Sequence, residues 1–259
     1  MTSIQENLGN IRQEMKDRNL DWVWVNVGME GSGKSSFSIQ LARHFDPDFT
    51  ADQICFTPEE YMKKATELPP YSAIVLDEGI EGLFSRNAMK KENKKLVQFF
   101  RQARELNLMH IINIPDLAEL ESTIRDSRAK TISRCRQKGY KADVYGRSDL
   151  DNIRVDRRNK VSWGSPSMVQ GWEDPAEAVP ELWDDYKEKN QEHIDGIADF
   201  GEDEEEKENW LSTGTVAERL DVSRKTVRRY CEKGDLEFKK LPNGDRRIPE
   251  EQVDDLVEG

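Results

Sequence analysis

The stretch that most constrains this chain is the glycine-rich segment of residues 28–35, which reads GMEGSGKS. It matches the pattern G-x-x-x-x-G-K-[ST] at every fixed position. Residues 21–27 before it are rich in β-branched and aromatic side chains, which predicts a buried strand. Phe37, Leu41 and Phe45 after it recur at helical spacing. Strand, glycine loop and helix therefore follow in the order that the pattern requires, which disfavours a glycine turn that binds nothing.

The residue types of this segment suit a phosphate group. Glycines let backbone N–H groups turn towards a β-phosphate, and the start of the following helix adds the positive end of its dipole. Lys34 is then expected to reach the β- and γ-phosphates of ATP, and the Ser35 hydroxyl to ligate Mg²⁺. The predicted nucleotide-binding residues are Gly28, Glu30, Gly31, Ser32, Gly33, Lys34, Ser35 and Ser36.

Two adjacent carboxylates, Asp77 and Glu78, end an apolar run that begins at Tyr71. In a P-loop ATPase an acid at the end of a neighbouring strand holds Mg²⁺, usually through water, and the next residue can polarise the attacking water. We therefore assign Asp77 to the metal, together with Ser35, and Glu78 to the general base. A solvated strand end is the alternative, and the position of the acids after the glycine loop disfavours it.

A further polar residue, Asn113, comes near the end of a third apolar run, residues 108–114. A polar side chain at this place orients the attacking water in many P-loop motors, and it can equally be a strand-end cap. Both interpretations stay open for Asn113. With Lys34 and Glu78 it completes the predicted catalytic set.

Basic residues gather in two further regions. The helical pattern of residues 87–107 places several lysines and arginines on one face, which favours a solvated basic face over a nucleic-acid or subunit-facing surface. Residues 115–129 are predicted to be a helix, and residues 131–136 and 140–146 a hairpin. Four arginines here are candidates to reach a neighbouring subunit's γ-phosphate, and the pattern does not distinguish them: Arg125, Arg128, Arg134 and Arg136.

Other site classes find no support in the composition. The chain has 35% charged residues and no apolar run near the roughly 20 residues of a membrane helix, so we expect a cytoplasmic protein without a membrane segment. Three cysteines and three histidines are scattered, which argues against a disulfide framework and a zinc site. These residues are Cys55, Cys135, Cys231, His44, His110 and His193.

The charge distribution predicts two domains. Residues 199–208 are a run of acids with little to bury, so we expect a flexible linker there. It separates a domain over residues 1–198 from a small unit over residues 209–259. The whole chain carries a net charge of -12, whereas residues 224–247 hold nine basic and four acidic side chains. The small unit is therefore the part suited to nucleic acid.

This small unit has the spacing of a helix-turn-helix. A short helix over residues 216–220 is followed by a tight turn and by a second helix over residues 224–233, capped by Ser223 and stopped at Gly234. Residues 241–248 then predict an Asn-Gly hairpin, or wing. A protein-interaction module is the alternative. The predicted DNA-binding residues are Arg224, Lys225, Thr226, Arg228, Arg229, Arg246 and Arg247.

Residues 209–259 resemble the excisionase-type, MerR-like winged helix-turn-helix DNA-binding domain. The resemblance covers essentially the whole C-terminal unit and implies double-stranded DNA as its ligand. It is carried by Ser212, Val216, Ala217, Leu220, Val222, Ser223, Arg224, Thr226, Val227, Tyr230, Arg247, Ile248 and Pro249.

Residues 22 to about 190 resemble the P-loop ATPases with an added catalytic glutamate that viruses, plasmids and integrated elements encode. Zonular occludens toxin-like and HerA/FtsK-like proteins are examples. The resemblance is carried by residues 28–35, by Asp77 and Glu78, and by Asn113. It implies an α/β domain with a mainly parallel sheet, and ATP and Mg²⁺ as cofactors.

These features predict an ATP-hydrolysing, DNA-binding protein of a virus, plasmid or integrated element that acts in DNA packaging, segregation or replication. Double-stranded DNA and further copies of the chain are the predicted partners. The alternative is a transcription regulator in which ATP binding only switches assembly, and such a switch needs no catalytic base like Glu78. A small-molecule kinase is disfavoured because no substrate lid or acceptor site is evident.

Overall fold

A computed structural model of the chain describes residues 4–77, 91–136, 140–156, 158–203, 210–240, 246–250 and 252–253. The chain forms two compact units, Met1–His193 and Ile194–Gly259. Four features of the sequence prediction lie outside the described residues: the general base Glu78, residues 87–90 of the predicted basic helix, the Asn-Gly turn of the wing, and residues 204–208 of the linker.

The first unit is built on one large sheet. Its strands are β1 (Trp22–Val27), β2 (Ile54–Cys55), β3 (Ala73–Leu76), β4 (Met109–Ile114), β5 (Ala129–Cys135), β6 (Lys141–Tyr145) and β9 (Met168–Gly171), with β7 (Arg154–Val155) and β8 (Val161–Ser162) as a separate hairpin. The strand order is β2-β3-β4-β1-β5-β6-β9. The pairs from β2 to β5 are parallel, whereas β5–β6 and β6–β9 are antiparallel. The predicted mainly parallel α/β fold is therefore confirmed.

Helices cover both faces of this sheet. They are α1 (Ile4–Arg18), α2 (Lys34–Phe45), α3 (Pro58–Glu67), α4 (Lys91–Gln102), α5 (Pro175–Ala178) and α6 (Pro180–Asp203). Trp22 and Trp24 of β1 join the core with α1, α2 and α6, while Val23 and Val25 join the core with α3 and α4. This alternation follows from the two-residue period of a strand, and it leaves all six residues of β1 buried.

The parallel strands bring their carboxyl ends to one edge of the sheet, where ligands of open α/β sheets bind. The glycine loop follows β1, Asp77 follows β3, and Asn113 is the next-to-last residue of strand β4. Strand β4 lies between β1 and β3. The loop and Asp77 are thus two strand spacings apart, about 10 Å, which leaves room for a phosphate and a hydrated ion.

The continuous helix predicted over residues 115–129 is wrong. The structure has a 3-10 turn at Leu117–Glu119 and a π-helical turn at Thr123–Arg128. Leu120 between them is extended, with φ -69° and ψ 134°. Because the chain breaks there, Leu117, Leu120 and Ile124 are all buried in the core with α3 and α4. Tertiary burial overrides the local helical pattern.

The second unit is a small helix-turn-helix. It contains β10 (Trp210–Ser212), α7 (Thr213–Arg219), α8 (Arg224–Lys233), β11 (Lys239–Lys240) and β12 (Arg246–Pro249), with the strand order β10-β12-β11. The strand β10 was not predicted. The hydrophobic core of this second unit includes Val216, Val227, Cys231 and Ile248. The C-terminal helix-turn-helix prediction is confirmed.

Helix α6 extends into the segment predicted to be a linker. It continues to Asp203, so residues 199–203 of the predicted flexible linker are helical. The helix begins in the first unit and its residues from Ile194 onward belong to the second. An acidic stretch can extend a helix that tertiary contacts have already started, because propagation is far less costly than nucleation.

Candidate functional site

The glycine loop joins β1 to α2 and takes a conformation that only its glycines adopt freely. Gly31 and Gly33 have φ values of +71° and +81°, in the left-handed region. Helix α2 begins at Lys34, directly after Gly33, and no side chain caps this end among the described residues. The first N–H groups of α2 are thus left for an anion, as at phosphate sites.

Lys34 is held over the start of the loop. Its Nζ donates to the backbone oxygens of Gly28 at 2.8 Å and Met29 at 3.2 Å, and its side chain is buried. A buried ammonium needs acceptors, and these two carbonyls provide them. The positive charge is therefore fixed at the loop.

The loop is closely packed on its inner side. A Cβ on Gly28 would lie 2.4 Å from Ser32 Oγ, so a larger residue does not fit. Ser32 is buried, and its hydroxyl has no hydrogen-bond partner among the described residues. Glu30 is exposed, and Ser35 and Ser36 are half-buried in the first turn of α2. Ser32 therefore supplies an unused hydroxyl at the loop.

Trp172, at the end of β9, covers Gly33. A Cβ on Gly33 would lie 2.9 Å from the Trp172 ring, which packs on Phe37 with 4.9 Å between ring centroids. Gln40 of α2 secures the adjoining segment by bonding the backbone of Glu173 in both directions. The contact between Trp172 and the loop was not predicted, because nothing in the local pattern links Trp172 to Gly33, so far away in the sequence.

Asp77 lies in a buried polar network. The residue is 1% exposed, and its Oδ1 accepts from Asn113 Nδ2 at 2.8 Å. Its Oδ2 accepts from the hydroxyl of Tyr186, on α6, at 3.0 Å. Both carboxylate oxygens are therefore fixed, one by β4 and one by α6.

Asn113 connects Asp77 to helix α2. Its Oδ1 accepts from Ser38 Oγ at 2.5 Å and from Asn26 Nδ2 at 3.2 Å. Ser38 lies one turn after Lys34, so the network ends beside the glycine loop. The structure thus places Asn113 inside the site as a link between two strands and a helix. Asn26 and Ser38 were not predicted as members of the site. The signal for Asn26 was its polar side chain inside an apolar strand.

The site fits Mg²⁺ through its donor chemistry. Mg²⁺ prefers oxygen ligands, keeps several waters and is bound by one or two protein groups plus substrate phosphates. Ser35 supplies a hydroxyl and Asp77 a carboxylate. Within the described part of the chain, no three acidic, histidine or cysteine side chains gather into a cluster that would hold a metal alone. The residues present therefore suit an ion that arrives with a nucleotide.

The four candidate arginines have different surroundings. Arg128 pairs with the buried Asp21 at the amino end of β1, and Arg125 pairs with its neighbour Asp126. Arg136 pairs with Asp143, and Arg134 lies 5.4 Å from the ring centroid of Trp163. Only Arg134 and Arg136, of the four, line the cavity described next.

A cavity of about 880 Å³ lies beside the glycine loop. Gly28, Met29 and Ser32 line one side of it, and Arg134 lies on another wall. Cys135 also lines this cavity, and burial raises the pKa of its thiol to about 12. The thiol is therefore protonated at neutral pH and is no nucleophile.

In the second unit, a serine side chain caps the start of each helix of the helix-turn-helix. Ser212 Oγ accepts from Thr215 N and Ser223 Oγ accepts from Thr226 N, each at 3.1 Å. Gly234 ends α8 with a φ of +84°. These are the N-cap and C-cap geometries that serine and glycine favour.

The predicted DNA-binding residues differ in availability. Arg224, Lys225, Arg228 and Arg229 are exposed on α8, whereas the Thr226 hydroxyl contacts Ser223 Oγ at 2.9 Å as part of the cap.

The two arginines of β12 are half-buried. Arg246 pairs with Glu232 at 3.0 Å and lies over the Phe238 ring. Arg247 is paired in the sheet with Ser212 of β10. Among the predicted DNA-binding residues that the structure describes, the exposed positive charge is therefore concentrated on α8.

Comparison with known proteins supports the helix-turn-helix assignment of the second unit. Residues 210–259 match the model of a family described as a helix-turn-helix domain. No curated protein sequence matches the chain. Within the described residues, no helix is both long and apolar enough to cross a membrane.

One solved structure similar to the chain is the N-terminal domain of zonular occludens toxin from Neisseria meningitidis. The sequences are 15% identical, and the match covers 49% of this chain and 84% of that one, with a TM-score of 0.36. A likeness at this level carries no argument about activity. The case for the glycine loop therefore stands on this chain's own residues.

Proposed function

We propose that this chain is a Mg²⁺-dependent ATPase that binds double-stranded DNA. The observation that carries the proposal is the arrangement at the carboxyl edge of the sheet. The uncapped start of α2, with Lys34, comes after the carboxyl end of β1, and Asp77 comes after the carboxyl end of β3, with β4 between these two strands. This combination of a cation, free N–H groups and a metal-binding acid suits a nucleoside triphosphate.

The residues divide the chemistry among themselves. The N–H groups of the loop and of the first turn of α2 would bind the β-phosphate, and Lys34 would move from its carbonyl partners to the β- and γ-phosphates. Ser35 and Asp77 would hold Mg²⁺, which neutralises the charge that develops on the phosphates. Asn113 fixes Asp77, and Glu78 would accept the proton of the attacking water.

The DNA-binding half of the proposal rests on the helix-turn-helix. In such domains the start of the second helix enters the major groove. Arg224, Lys225 and Arg228 occupy that part of α8 and are exposed. The domain would then select the DNA on which the ATPase acts.

The wider role is inferred from the presence of both units in one chain. We propose that the protein serves a virus, plasmid or integrated element in packaging, segregation or replication of its DNA. We also propose that it assembles as a homo-oligomer, because the exposed Arg134 of β5 and Arg136 just after it, both beside the glycine loop, would serve subunits placed side by side.

ATP turnover by the full-length chain, measured with and without duplex DNA, tests this proposal. We expect Mg²⁺-dependent turnover that changes when duplex is added, and light scattering in the same samples reports assembly. Tight ATP binding without any turnover would overturn the ATPase assignment and favour a nucleotide-driven switch.

Replacing Arg228 in the full-length chain is expected to affect DNA selection. A bidentate arginine-guanine contact is worth roughly 1–3 kcal/mol at one base position, whereas a phosphate contact changes the salt slope by about one unit. Arg228→Ala should therefore relax sequence preference, and Arg247→Ala should mainly flatten the salt dependence. Binding titrations at several salt concentrations measure both, with Arg18→Ala as a control for general charge loss. No duplex binding by wild type even at low salt would contradict the DNA-binding assignment.

A further inference from the structure

One face of helix α6 is fastened to the carboxyl ends of β3 and β2. Tyr186 bonds Asp77, and Lys189 pairs with Glu60 at 2.8 Å and donates to the backbone oxygen of Ile54. The His193 ring stacks on Phe56 with 4.8 Å between centroids. Tyr186, Lys189 and His193 are spaced by three and four residues, so they share one side of the helix.

The contact between Tyr186 and Asp77 is the one that reaches the proposed nucleotide site. Tyr186 is buried, and its ring packs between Trp183 and Phe56, at 5.1 and 6.2 Å from their centroids. Packing thus fixes the ring, and the ring fixes the hydroxyl. Among the described residues, each side-chain oxygen of Asp77 accepts one hydrogen bond, which leaves a second lone pair for a water of a metal's shell.

We propose that Tyr186 is a positioning residue for Asp77, and that through this bond the docking of α6 and the binding of Mg²⁺ with nucleotide stabilise each other. The inference rests on the proposed ATPase function. Without the Tyr186 hydroxyl, Asp77 keeps the Asn113 bond alone among the described residues. Its carboxylate is then less restrained, so the ion meets a less ordered ligand. Coupling of this kind is reciprocal, so a bound ion also tightens α6.

The test compares wild type with Tyr186→Phe, which removes the hydroxyl and keeps the ring. Mn²⁺, as a paramagnetic substitute for Mg²⁺, is titrated by electron paramagnetic resonance in the presence of a non-hydrolysable ATP analogue. We expect about tenfold weaker Mn²⁺ binding, as for loss of one hydrogen bond to a charged group. Binding of the analogue without metal should stay unchanged, because the bond that Tyr186→Phe removes goes to Asp77, whereas Lys34 bonds the Gly28 and Met29 carbonyls.

Amide hydrogen exchange of residues 180–193 provides a second readout. Metal and analogue together should slow exchange of this segment in wild type and slow it much less in Tyr186→Phe. Tyr145→Phe is the matched control, since Tyr145 is a buried tyrosine whose hydroxyl donates to Gly164 O at 3.2 Å, away from Asp77. This control should keep wild-type metal affinity and exchange.

The outcomes separate this inference from the proposed function. Equal Mn²⁺ affinity and equal protection in wild type and Tyr186→Phe would overturn the positioning role while leaving the nucleotide site intact. Equal losses of analogue binding with and without metal would show a general structural defect and also overturn it. Failure of wild type to bind the analogue at all would overturn the proposed function, and the inference with it.

Discussion

Lys34→Ala is expected to abolish ATP turnover and to weaken ATP binding by roughly 10²–10³-fold. The variant removes the ammonium, and with it the charged hydrogen bonds that we propose it makes to the β- and γ-phosphates. Each such bond is worth roughly 1.5–3 kcal/mol, so two of them give about 3–6 kcal/mol, and the expected loss lies in the lower part of that range. Equilibrium binding of a fluorescent ATP analogue and steady-state hydrolysis measure the two effects.

Two further variants make this result specific. Lys34→Met keeps most of the side-chain bulk without the charge, so an equal loss in both variants assigns the effect to the ammonium. Lys63→Ala removes an exposed lysine of α3 and should behave as wild type. If Lys34→Ala hydrolysed ATP at the wild-type rate in folded protein, the assignment of residues 28–35 as a phosphate-binding loop would be wrong.

Asp77→Asn is expected to lower Mg²⁺-dependent turnover by roughly 10²–10³-fold, the usual cost of losing one electrostatic group at a reacting phosphate or oxyanion. The amide has the shape of the carboxylate. Its oxygen still accepts from Asn113, and its nitrogen still has the Tyr186 hydroxyl as an acceptor. The fold should therefore survive while the negative charge that attracts the ion is lost.

Metal dependence distinguishes this effect from damage to the fold. Nucleotide binding in the presence of a chelator should be unchanged in Asp77→Asn, and higher Mg²⁺ should recover part of the activity. Asp46→Asn is the comparison, because Asp46 is also a buried carboxylate but accepts from Ala73 N and Gln53 Nε2 in the core. It should lose stability without losing turnover per folded molecule. Full activity of Asp77→Asn would refute the metal assignment.

Local chemistry determined much of the fold in advance. A glycine loop between a β-branched run and a helical repeat predicts strand, loop and helix, because φ above zero favours glycine. Thr57 is the N-cap of α3, and its hydroxyl accepts from Glu60 N at 3.2 Å. In the same way, Ser223 caps the start of α8, and Gly234 ends it with a φ above zero. Such signals act over a few residues, so the sequence alone is sufficient to read them.

Burial decided where local pattern was ambiguous. Residues 115–129 have a helical pattern, yet the chain breaks at Leu120 so that this side chain is buried with Leu117 and Ile124. The acidic residues 199–203 were expected to be flexible, and they continue α6. In both cases the outcome depends on what packs nearby, which is not written in the segment itself.

The candidate site shows the same division. Sequence by itself determined which residues are at the strand ends, namely the loop, Asp77 and Asn113, because motif spacing and strand polarity are local properties. Only the tertiary structure decided that Tyr186, 109 positions along the chain from Asp77, donates to its carboxylate. It also decided that Arg128 pairs with Asp21 while Arg134 lines the cavity by the loop. Contacts of this kind arise from how the helices pack on the sheet, and no short-range pattern records them.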